Sequence, residues 1–216
     1  MVDPFDGAAF EHLTRFKCTI VGPRCLLQCL LDNKSVPDLP YPVFTASMRG
    51  LIVTSTNFSK ERKNELQLRG NICRSFFQDL KSRKFFCFSV ERMGGIYSNA
   101  FHDGVTHLVA KMVKSRKYEV AIQKEVPVMT EEWIDLVWDK SRNKMCHATD
   151  SEFSRYKCPS LLGLNITVSQ LGKKDRDLIK KSIENHGGTY TGSLDMETTM
   201  VLILTKPEGD KYKYAK

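Results

Sequence analysis

Short apolar runs alternate with charged stretches through the middle of this chain. The run at 52–56 is apolar and β-branched and predicts a buried strand, and the charged stretch at 59–68 predicts a helix. A second strand is predicted at 105–110, followed by a helix at 117–124 and a short strand at 126–129. Because strands alternate with helices, the expected fold is a parallel sheet with helices on its faces.

One further helix completes this unit. Thr130 is a suitable N-cap residue, and the apolar spacing through Trp133 and Trp138 predicts a helix that runs to about residue 140. The predicted order of strands and helices is β-α-β-β-α-β-α. It describes one compact unit of roughly 90 residues.

The same pattern occurs twice in one register. Each copy has a hydroxyl residue at the end of an apolar run, a basic residue seven positions later, then Gly-Gly-x-Tyr and Lys-Tyr. The first copy holds Thr56, Lys63, 94–97 and 117–118, and the second holds Ser169, Arg176, 187–190 and 211–212. The paired glycines are expected to end a helix, because glycine tolerates the left-handed conformation found there.

This repeat predicts the domain boundaries. Residues 46–141 form a whole unit, 142–158 a polar linker, and 159–216 the first part of a second unit, which is expected to be truncated. Residues 1–45 are interpreted as the C-terminal half of another unit. They predict a helix, a strand and a helix at 3–15, 16–23 and 24–31.

The first copy carries an insertion. Thr56 and Gly94 are 38 positions apart, whereas Ser169 and Gly187 are 18 apart, and the extra segment is placed at 70–89. It is rich in Phe, Lys and Arg, and its deletion would restore one uninterrupted helix. Two interpretations stay open, a translated intron and a genuine basic-aromatic loop.

Composition limits the classes of function. The net charge of +8 favours polyanionic partners such as nucleic acid or phosphorylated, acidic peptides. No apolar stretch reaches the roughly 18 residues of a membrane span, so no membrane partner is expected. The seven cysteines form no zinc-binding spacing with histidines, so free structural thiols are expected, with no metal or cofactor.

A phosphate site is predicted where the first strand of each copy ends, because open α/β sheets bind ligands at the carboxyl ends of their strands. A hydroxyl and the next backbone N–H would donate to the phosphate, and two cations on the following helices would supply charge. The predicted residues are Thr56, Asn57, Lys63 and Lys117 in the first copy, and Ser169, Gln170, Arg176 and Lys211 in the second. Ordinary roles compete with this hypothesis, since such hydroxyls often cap helices and surface lysines are usually solvated.

Several motifs together resemble BRCT domains: Gly-Gly-x-Tyr at 94–97, Val-Thr-His-Leu-Val-Ala at 105–110, Lys-Tyr-x-x-Ala at 117–121 and the Trp133 helix. The resemblance covers nearly the whole chain except 70–89. It implies tandem BRCT domains, each a small four-stranded parallel sheet flanked by helices, preceded by a cryptic unit without a phosphate pocket. It assigns pocket roles to Thr56, Lys63 and Lys117, and to Ser169, Arg176 and Lys211.

The function that this resemblance implies is a non-enzymatic nuclear scaffold. It would dock phosphoserine or phosphothreonine partners in DNA replication initiation and DNA-damage checkpoint signalling. The implied partners are the phosphorylated tail of the checkpoint clamp and a treslin-like replication factor. DNA binding, through the basic surface or a 5′-phosphate pocket, is the alternative, and an enzyme of phosphate chemistry ranks third because no carboxylate cluster converges on the pocket.

The remaining conspicuous residues are expected to be structural. The five histidines are scattered, and His107 is predicted to be a structural strand residue. Trp133 and Trp138 are predicted to pack in the core. The second copy has Met200-Val201-Leu202 where the BRCT pattern has Thr-His-Leu, a departure that concerns a strand end rather than the pocket.

Overall fold

Two parallel β-sheets organise the chain, one in each copy of the repeat. The computed structural model describes residues 7–16, 18–58 and 90–215. The predicted helix at 59–68, the insertion at 70–89 and Lys63 lie outside these residues.

The N-terminal unit has its two predicted helices but not its predicted strand. The helices are α1 (Gly7–Leu13) and α2 (Pro23–Leu31). The strand predicted at 16–23 is wrong, because Val21 forms only an isolated parallel bridge with Val43. Pairing stops there because α2 begins immediately afterwards, and because the Thr45 N–H donates to the carbonyl of Arg92 at 3.1 Å.

Both cysteines of α2 are core residues. Cys25 and Cys29 are buried and pack with Val43 and Ala46. Burial, followed by the neighbouring Cys29, raises the pKa of the Cys25 thiol to about 12. Such a thiol stays protonated, as a structural cysteine does.

The first sheet contains four parallel strands in the order β2-β1-β3-β4. They are β1 (Ile52–Thr56), β2 (Ile96–Tyr97), β3 (His107–Ala110) and β4 (Val128–Met129). The strands predicted at 105–110 and 126–129 are confirmed, and both are shorter than predicted. The last strand is short because the Val126 N–H donates to the carbonyl of Ala121 at 2.8 Å, which closes the preceding helix, and Pro127 has no N–H.

The two helices that the structure describes in this unit match their predictions. They are α3 (Arg116–Gln123) and α4 (Glu131–Ser141). Ser115 caps α3, since its hydroxyl accepts the Tyr118 N–H. Thr130 occupies the N-cap position of α4 without a side-chain cap bond, and its own N–H donates to the carbonyl of Tyr156.

Trp133 lies at the centre of the first core and is completely buried. Its Nε1 donates to the carbonyl of Ala148 at 3.0 Å, and its ring stacks on His107 with 5.1 Å between the centroids. Val53 of β1 and Val109 of β3 are each 1% exposed in the same cluster. The predicted packing roles of Trp133 and His107 are therefore confirmed.

His107 makes the stability of this core depend on pH. Burial, and secondarily the charge of His147, lower the pKa of His107 from 6.5 to about 4. Between these values the unfolded chain binds a proton that the folded chain excludes, so stability falls as the pH drops. We expect the free energy of unfolding, measured by urea denaturation, to decrease by about 2–3 kcal/mol from neutral pH to pH 4 through this residue.

A His107→Gln variant isolates this contribution, because carboxylates also titrate in the acidic part of the range. Its stability should depend less steeply on pH than that of the unsubstituted protein. Identical pH profiles for the two proteins would contradict the assignment.

The predicted polar linker, residues 142–158, packs against the first unit. They contain a 3₁₀ helix at Ser151–Tyr156, and its Phe153 is 1% exposed within the first core. The Cys158 N–H donates to the carbonyl of Val128 at 2.8 Å. Phe153 and Ala148, with the partly buried Cys146 and Tyr156, therefore anchor this segment on the first core.

The second sheet contains three parallel strands in the order β6-β5-β7 within residues 159–215. The elements are β5 (Asn165–Val168), α5 (Lys173–Asn185), β6 (Thr189–Thr191), β7 (Val201–Ile203) and α6 (Asp210–Ala215). This order repeats that of β2, β1 and β3. The two copies therefore share one parallel topology, as the repeat predicted.

The paired glycines of the second copy end α5, as expected, whereas the residues before 90–94 in the first copy lie outside the described residues. Gly94 and Gly187 have positive φ values of 79° and 81°. The Gly188 N–H donates to the carbonyl of Ile183 at 2.9 Å, which is the bond of a Schellman C-cap. A Cβ on Gly188 would lie only 2.8 Å from Ile183 Cγ2, so the second glycine provides space for the helix.

Candidate phosphate-binding site

Lys117 reaches from the first turn of α3 to the carboxyl end of β1. Its Nζ donates to Thr54 Oγ1 at 2.9 Å, to the carbonyl of Ser55 at 3.0 Å and to the carbonyl of Asn99 at 2.7 Å. The carbonyl of Ser55 immediately precedes Thr56. The ammonium group therefore binds the carbonyl directly before Thr56, the hydroxyl residue that the sequence analysis predicts as a phosphate ligand.

Lys211 makes the equivalent contacts in the second copy. Its Nζ donates to Thr167 Oγ1 at 3.3 Å, to the carbonyl of Val168 at 3.2 Å and to the carbonyl of Gly192 at 2.9 Å. The carbonyl of Val168 precedes Ser169. Each lysine thus binds a strand hydroxyl, the next carbonyl and a loop carbonyl.

The acceptors of Lys211 orient its charge without cancelling it. All three are uncharged oxygens. Within the described part of the chain, no carboxylate forms an ion pair with this lysine. An ammonium held in this way keeps its full charge for an anion at the strand end.

Arg176 lies beside the same strand end. It is exposed on α5, and its Nη2 donates to the carbonyl of Leu171 at 3.1 Å. The carbonyls of Val168 and Leu171, which accept from Lys211 and Arg176, flank Ser169 and Gln170. The structure therefore brings the second predicted set together, whereas the position of Lys63 in the first copy lies outside the described residues.

Asn57 and Gln170 hold the loops of the site. Both have left-handed backbone conformations, with φ values of 63° and 61°. Asn57 Nδ2 donates to the carbonyls of Met112 and Lys114 at 3.2 and 3.3 Å, and Gln170 Oε1 accepts from the Thr205 hydroxyl at 3.0 Å. Each side chain ties the strand end to the loop before the lysine helix, a role that the sequence prediction, which used only the backbone N–H, did not include.

The two predicted hydroxyl residues differ in accessibility. Thr56 is 7% exposed, whereas Ser169 is half-buried. The Ser169 N–H donates to the carbonyl of Ile203 at 2.9 Å, so the backbone of this residue still belongs to the sheet. The strand end of the second copy is therefore the more open of the two.

Thr54 and Thr167 were missed by the sequence prediction. Both are fully buried, and each hydroxyl accepts from the lysine of its copy. The available signal was a hydroxyl inside an apolar run, because a buried hydroxyl requires a hydrogen-bond partner. Such a partner could be inferred, but its identity could not.

Tyr97 of the first Gly-Gly-x-Tyr motif supports β1 from the neighbouring strand. Its hydroxyl lies 2.5 Å from Ser55 Oγ, and burial raises its pKa. In the second copy the position of Ser55 is occupied by Val168. The tyrosine equivalent to Tyr97 is Tyr190, and Lys180 Nζ lies 5.9 Å from the centroid of its ring. The tyrosine therefore has a structural role beside the site in both copies.

In the part of the chain that the structure covers, no group of three or more His, Cys, Asp or Glu residues could hold a metal ion. None of the helices placed there is long and apolar enough to cross a bilayer.

The fold and these strand-end lysines define a protein built from tandem α/β repeats, each with a cation fixed beside a strand terminus. The profile of the twin BRCT domain matches residues 71–133 and 164–216, which is over half of the chain. That of the TopBP1 BRCT0 domain matches residues 1–46. The chain therefore belongs to the BRCT family, with a BRCT0-type unit ahead of twin BRCT units, and BRCT domains are binding modules.

Curated relatives share the same region. Mouse protein ECT2 is 26% identical over 205 residues, which cover 94% of this chain and 20% of the relative. The S-M checkpoint control protein rad4 of Schizosaccharomyces pombe is 26% identical over 139 residues, which cover 63% of this chain and 21% of rad4. The chain thus spans about a fifth of the length of these relatives.

Solved structures confirm the fold. The Rad4 BRCT1,2 structure in complex with an Mdb1 phosphopeptide has a TM-score of 0.61 and 22% identity, and covers 78% of this chain and 82% of its own. The corresponding complex with a Crb2 phosphopeptide has a TM-score of 0.59 and 22% identity, with 79% and 84% covered. The predicted tandem BRCT architecture is therefore correct.

Proposed function

We propose that this chain docks phosphorylated segments of partner proteins and holds the phosphate at the carboxyl ends of β1 and β5. One observation carries the proposal. Lys211 and Arg176 bind the carbonyls on either side of Ser169 and Gln170, so two cations and a hydroxyl meet at one loop.

The chemistry of this loop suits a phosphate monoester. A phosphorylated side chain carries about −1.5 to −2 charges and three strong acceptor oxygens. The Ser169 hydroxyl and the Gln170 backbone N–H would donate to it, and Arg176 would add a charge-assisted bond worth about 1.5–3 kcal/mol. Lys211, whose three N–H donors already have acceptors, would contribute its positive charge, or would exchange one carbonyl acceptor for a phosphate oxygen. In the first copy the same roles fall to Thr56, Asn57, Lys63 and Lys117.

The cellular role follows from the family. Rad4 BRCT1,2, which shares the fold, is solved with phosphopeptides, and this supports a phosphorylated ligand here. We infer partners of the kind named above, the phosphorylated tail of the checkpoint clamp and a treslin-like replication factor. The chain would act as a nuclear scaffold in replication initiation and checkpoint signalling, with no catalytic step of its own.

Paired peptides test the proposal. A fluorescent phosphoserine peptide from the checkpoint clamp tail and its unphosphorylated twin are titrated with the chain, and anisotropy gives both dissociation constants. We expect the phosphorylated peptide to bind at least about tenfold more tightly, since the attraction to the two cations, Lys211 and Arg176, depends on the phosphate. Equal affinities would contradict phosphate recognition.

DNA binding is the second candidate, and the net charge of +8 is the observation that favours it. The same titration with a 5′-phosphorylated duplex, repeated at several salt concentrations, separates the two functions. A steep salt dependence for DNA, together with no discrimination between the peptides, would favour DNA as the ligand.

A further inference from the structure

The loop before each lysine helix borders the proposed phosphate site of its copy. In the first copy Asn57, at the strand end, donates from Nδ2 to the carbonyls of Met112 and Lys114 at 3.2 and 3.3 Å. In the second copy Gln170 donates from Nε2 to the carbonyl of Glu208 at 2.5 Å. Because Asn57 and Gln170 supply the backbone N–H groups proposed to bind phosphate, Lys114 and Glu208 lie next to the two phosphate positions.

These two loops correspond residue by residue. Val109 and Ile203 pair with equivalent residues of β1 and β5, and each lies eight positions before the lysine of its copy. Lys114 and Glu208 therefore occupy the same position, and the carbonyl there accepts the amide side chain of the strand-end residue in both copies. The backbones match, but a lysine in the first copy stands where the second copy has a glutamate.

The side chains of the two loops differ in charge. The segment 111–116 contains three basic residues and no acidic residue, whereas 205–210 contains one basic and two acidic residues. They are Lys111, Lys114 and Arg116 in the first copy, and Lys206, Glu208 and Asp210 in the second. All six are exposed, and within the described residues none of them forms an ion pair. Their charges are therefore available to a ligand at the strand end.

The other borders of the two sites carry equal charge. The four residues that end at the helix cation, 60–63 and 173–176, contain three basic residues and one acidic residue in each copy. The segments that include the loop carbonyls bound by the lysines, 98–101 and 191–194, contain no charged residue. The difference in charge between the two sites therefore lies mainly in the loops before the lysines.

We propose that the two sites select phosphorylated segments by the charge that flanks the phosphate, an inference that rests on the proposed function. The first site binds a phosphorylated residue with Asp or Glu on its flanks, because Lys114 and its basic neighbours attract those carboxylates. The second site binds a phosphorylated residue with uncharged or basic flanks, because Glu208 and Asp210 repel carboxylates. Lys114 and Glu208 are the specificity-determining residues.

Proteins with a single working site test the proposal. Lys211→Glu leaves the first site, and Lys117→Glu leaves the second. Each is titrated by anisotropy at low salt with a phosphoserine peptide that has Glu at the two positions on each side, with its Gln counterpart, and with the unphosphorylated twin of each. We expect the first site to prefer the Glu peptide by about three- to tenfold and the second to prefer the Gln peptide. Both preferences should diminish as added salt screens the charges.

Exchanging the two charges tests the two residues directly. Lys114→Glu should abolish the preference of the first site for the Glu peptide, and Glu208→Lys should create that preference at the second site. Both side chains are exposed, so the fold should be unaffected. Glu197→Lys is the matched control and should alter neither preference. It makes the same change of charge in an exposed loop at the other end of β5, where the carbonyl of Thr198 accepts from Asn165.

Two results would overturn the inference. One is the same flank preference at both sites, and the other is a difference between the sites that persists in Lys114→Glu and Glu208→Lys. The unphosphorylated twins distinguish these results from a failure of the proposed function. If they bind as tightly as the phosphorylated peptides at both sites, phosphate recognition itself fails, and the inference fails with it.

Discussion

The double variant Lys117→Glu/Lys211→Glu is expected to lose its preference for phosphorylated over unphosphorylated peptide. Each lysine is fixed beside a strand end by three oxygen acceptors, and the substitution places a negative charge where the phosphate should bind. Loss of the fixed positive charge at a site is expected to weaken binding by about 10- to 100-fold, and the added repulsion weakens it further. Anisotropy titrations with the paired peptides measure the effect.

The matched control is Arg116→Glu/Lys213→Glu. These two residues are exposed on the same helices, α3 and α6, and their substitution changes the net charge by the same amount. Screening should limit the loss of affinity in the control to a few-fold at physiological salt. If the control loses as much as the lysine pair, long-range charge rather than a defined pocket explains the binding.

Trp133→Ala is expected to destabilise the first BRCT unit by about 3–5 kcal/mol. The side chain is completely buried, and its removal leaves a large cavity beside Val53 and Val109. It also leaves the carbonyl of Ala148 without its indole donor. Urea denaturation monitored by the fluorescence of Trp138, the other tryptophan of the chain, reports on the same helix.

Two substitutions calibrate this effect. Ile122→Ala removes a side chain of α3 that is 54% exposed and should change the free energy of unfolding by less than about 0.5 kcal/mol. Trp133→Phe preserves part of the packing. Its free energy of unfolding should lie between those of Trp133→Ala and Ile122→Ala. A Trp133→Ala variant as stable as Ile122→Ala would show that Trp133 does not support the core.

The elements whose signal is local could be predicted from the sequence. The apolar run at 52–56 and the helix at 131–141 carry their own periodicity, and the paired glycines at 187–188 mark the end of α5. The strand expected at 16–23 failed because its pairing is decided elsewhere. The Thr45 N–H donates to the carbonyl of Arg92, a residue distant in the sequence. A local sequence pattern cannot predict that bond.

The packing of the predicted linker, 142–158, could not be inferred from the sequence for a related reason. Its composition is polar, and a few apolar residues, above all the buried Phe153 and Ala148, hold it on the first core. Composition describes the average of a segment, whereas packing depends on where one side chain can reach. A linker prediction from composition alone is therefore weakest where a few apolar residues interrupt a polar run.

The charged residues of the candidate site could be predicted from the sequence. The repeat identified both lysines, and the structure places them at equivalent strand ends. The threonines that orient them resemble ordinary β-branched strand residues in sequence. The carbonyls of Asn99 and Gly192 leave no sequence signal at all, since every residue has a carbonyl.

The most direct test of the central claim is a thermodynamic cycle between Lys211 and the phosphate. Binding of the phosphorylated and unphosphorylated peptides is measured for the Lys117→Glu protein, which retains the second site, and for the same protein with Lys211→Ala. We predict a coupling free energy of about 1.5–3 kcal/mol between the lysine and the phosphate. A coupling near zero, with both peptides weakened equally, would contradict the account.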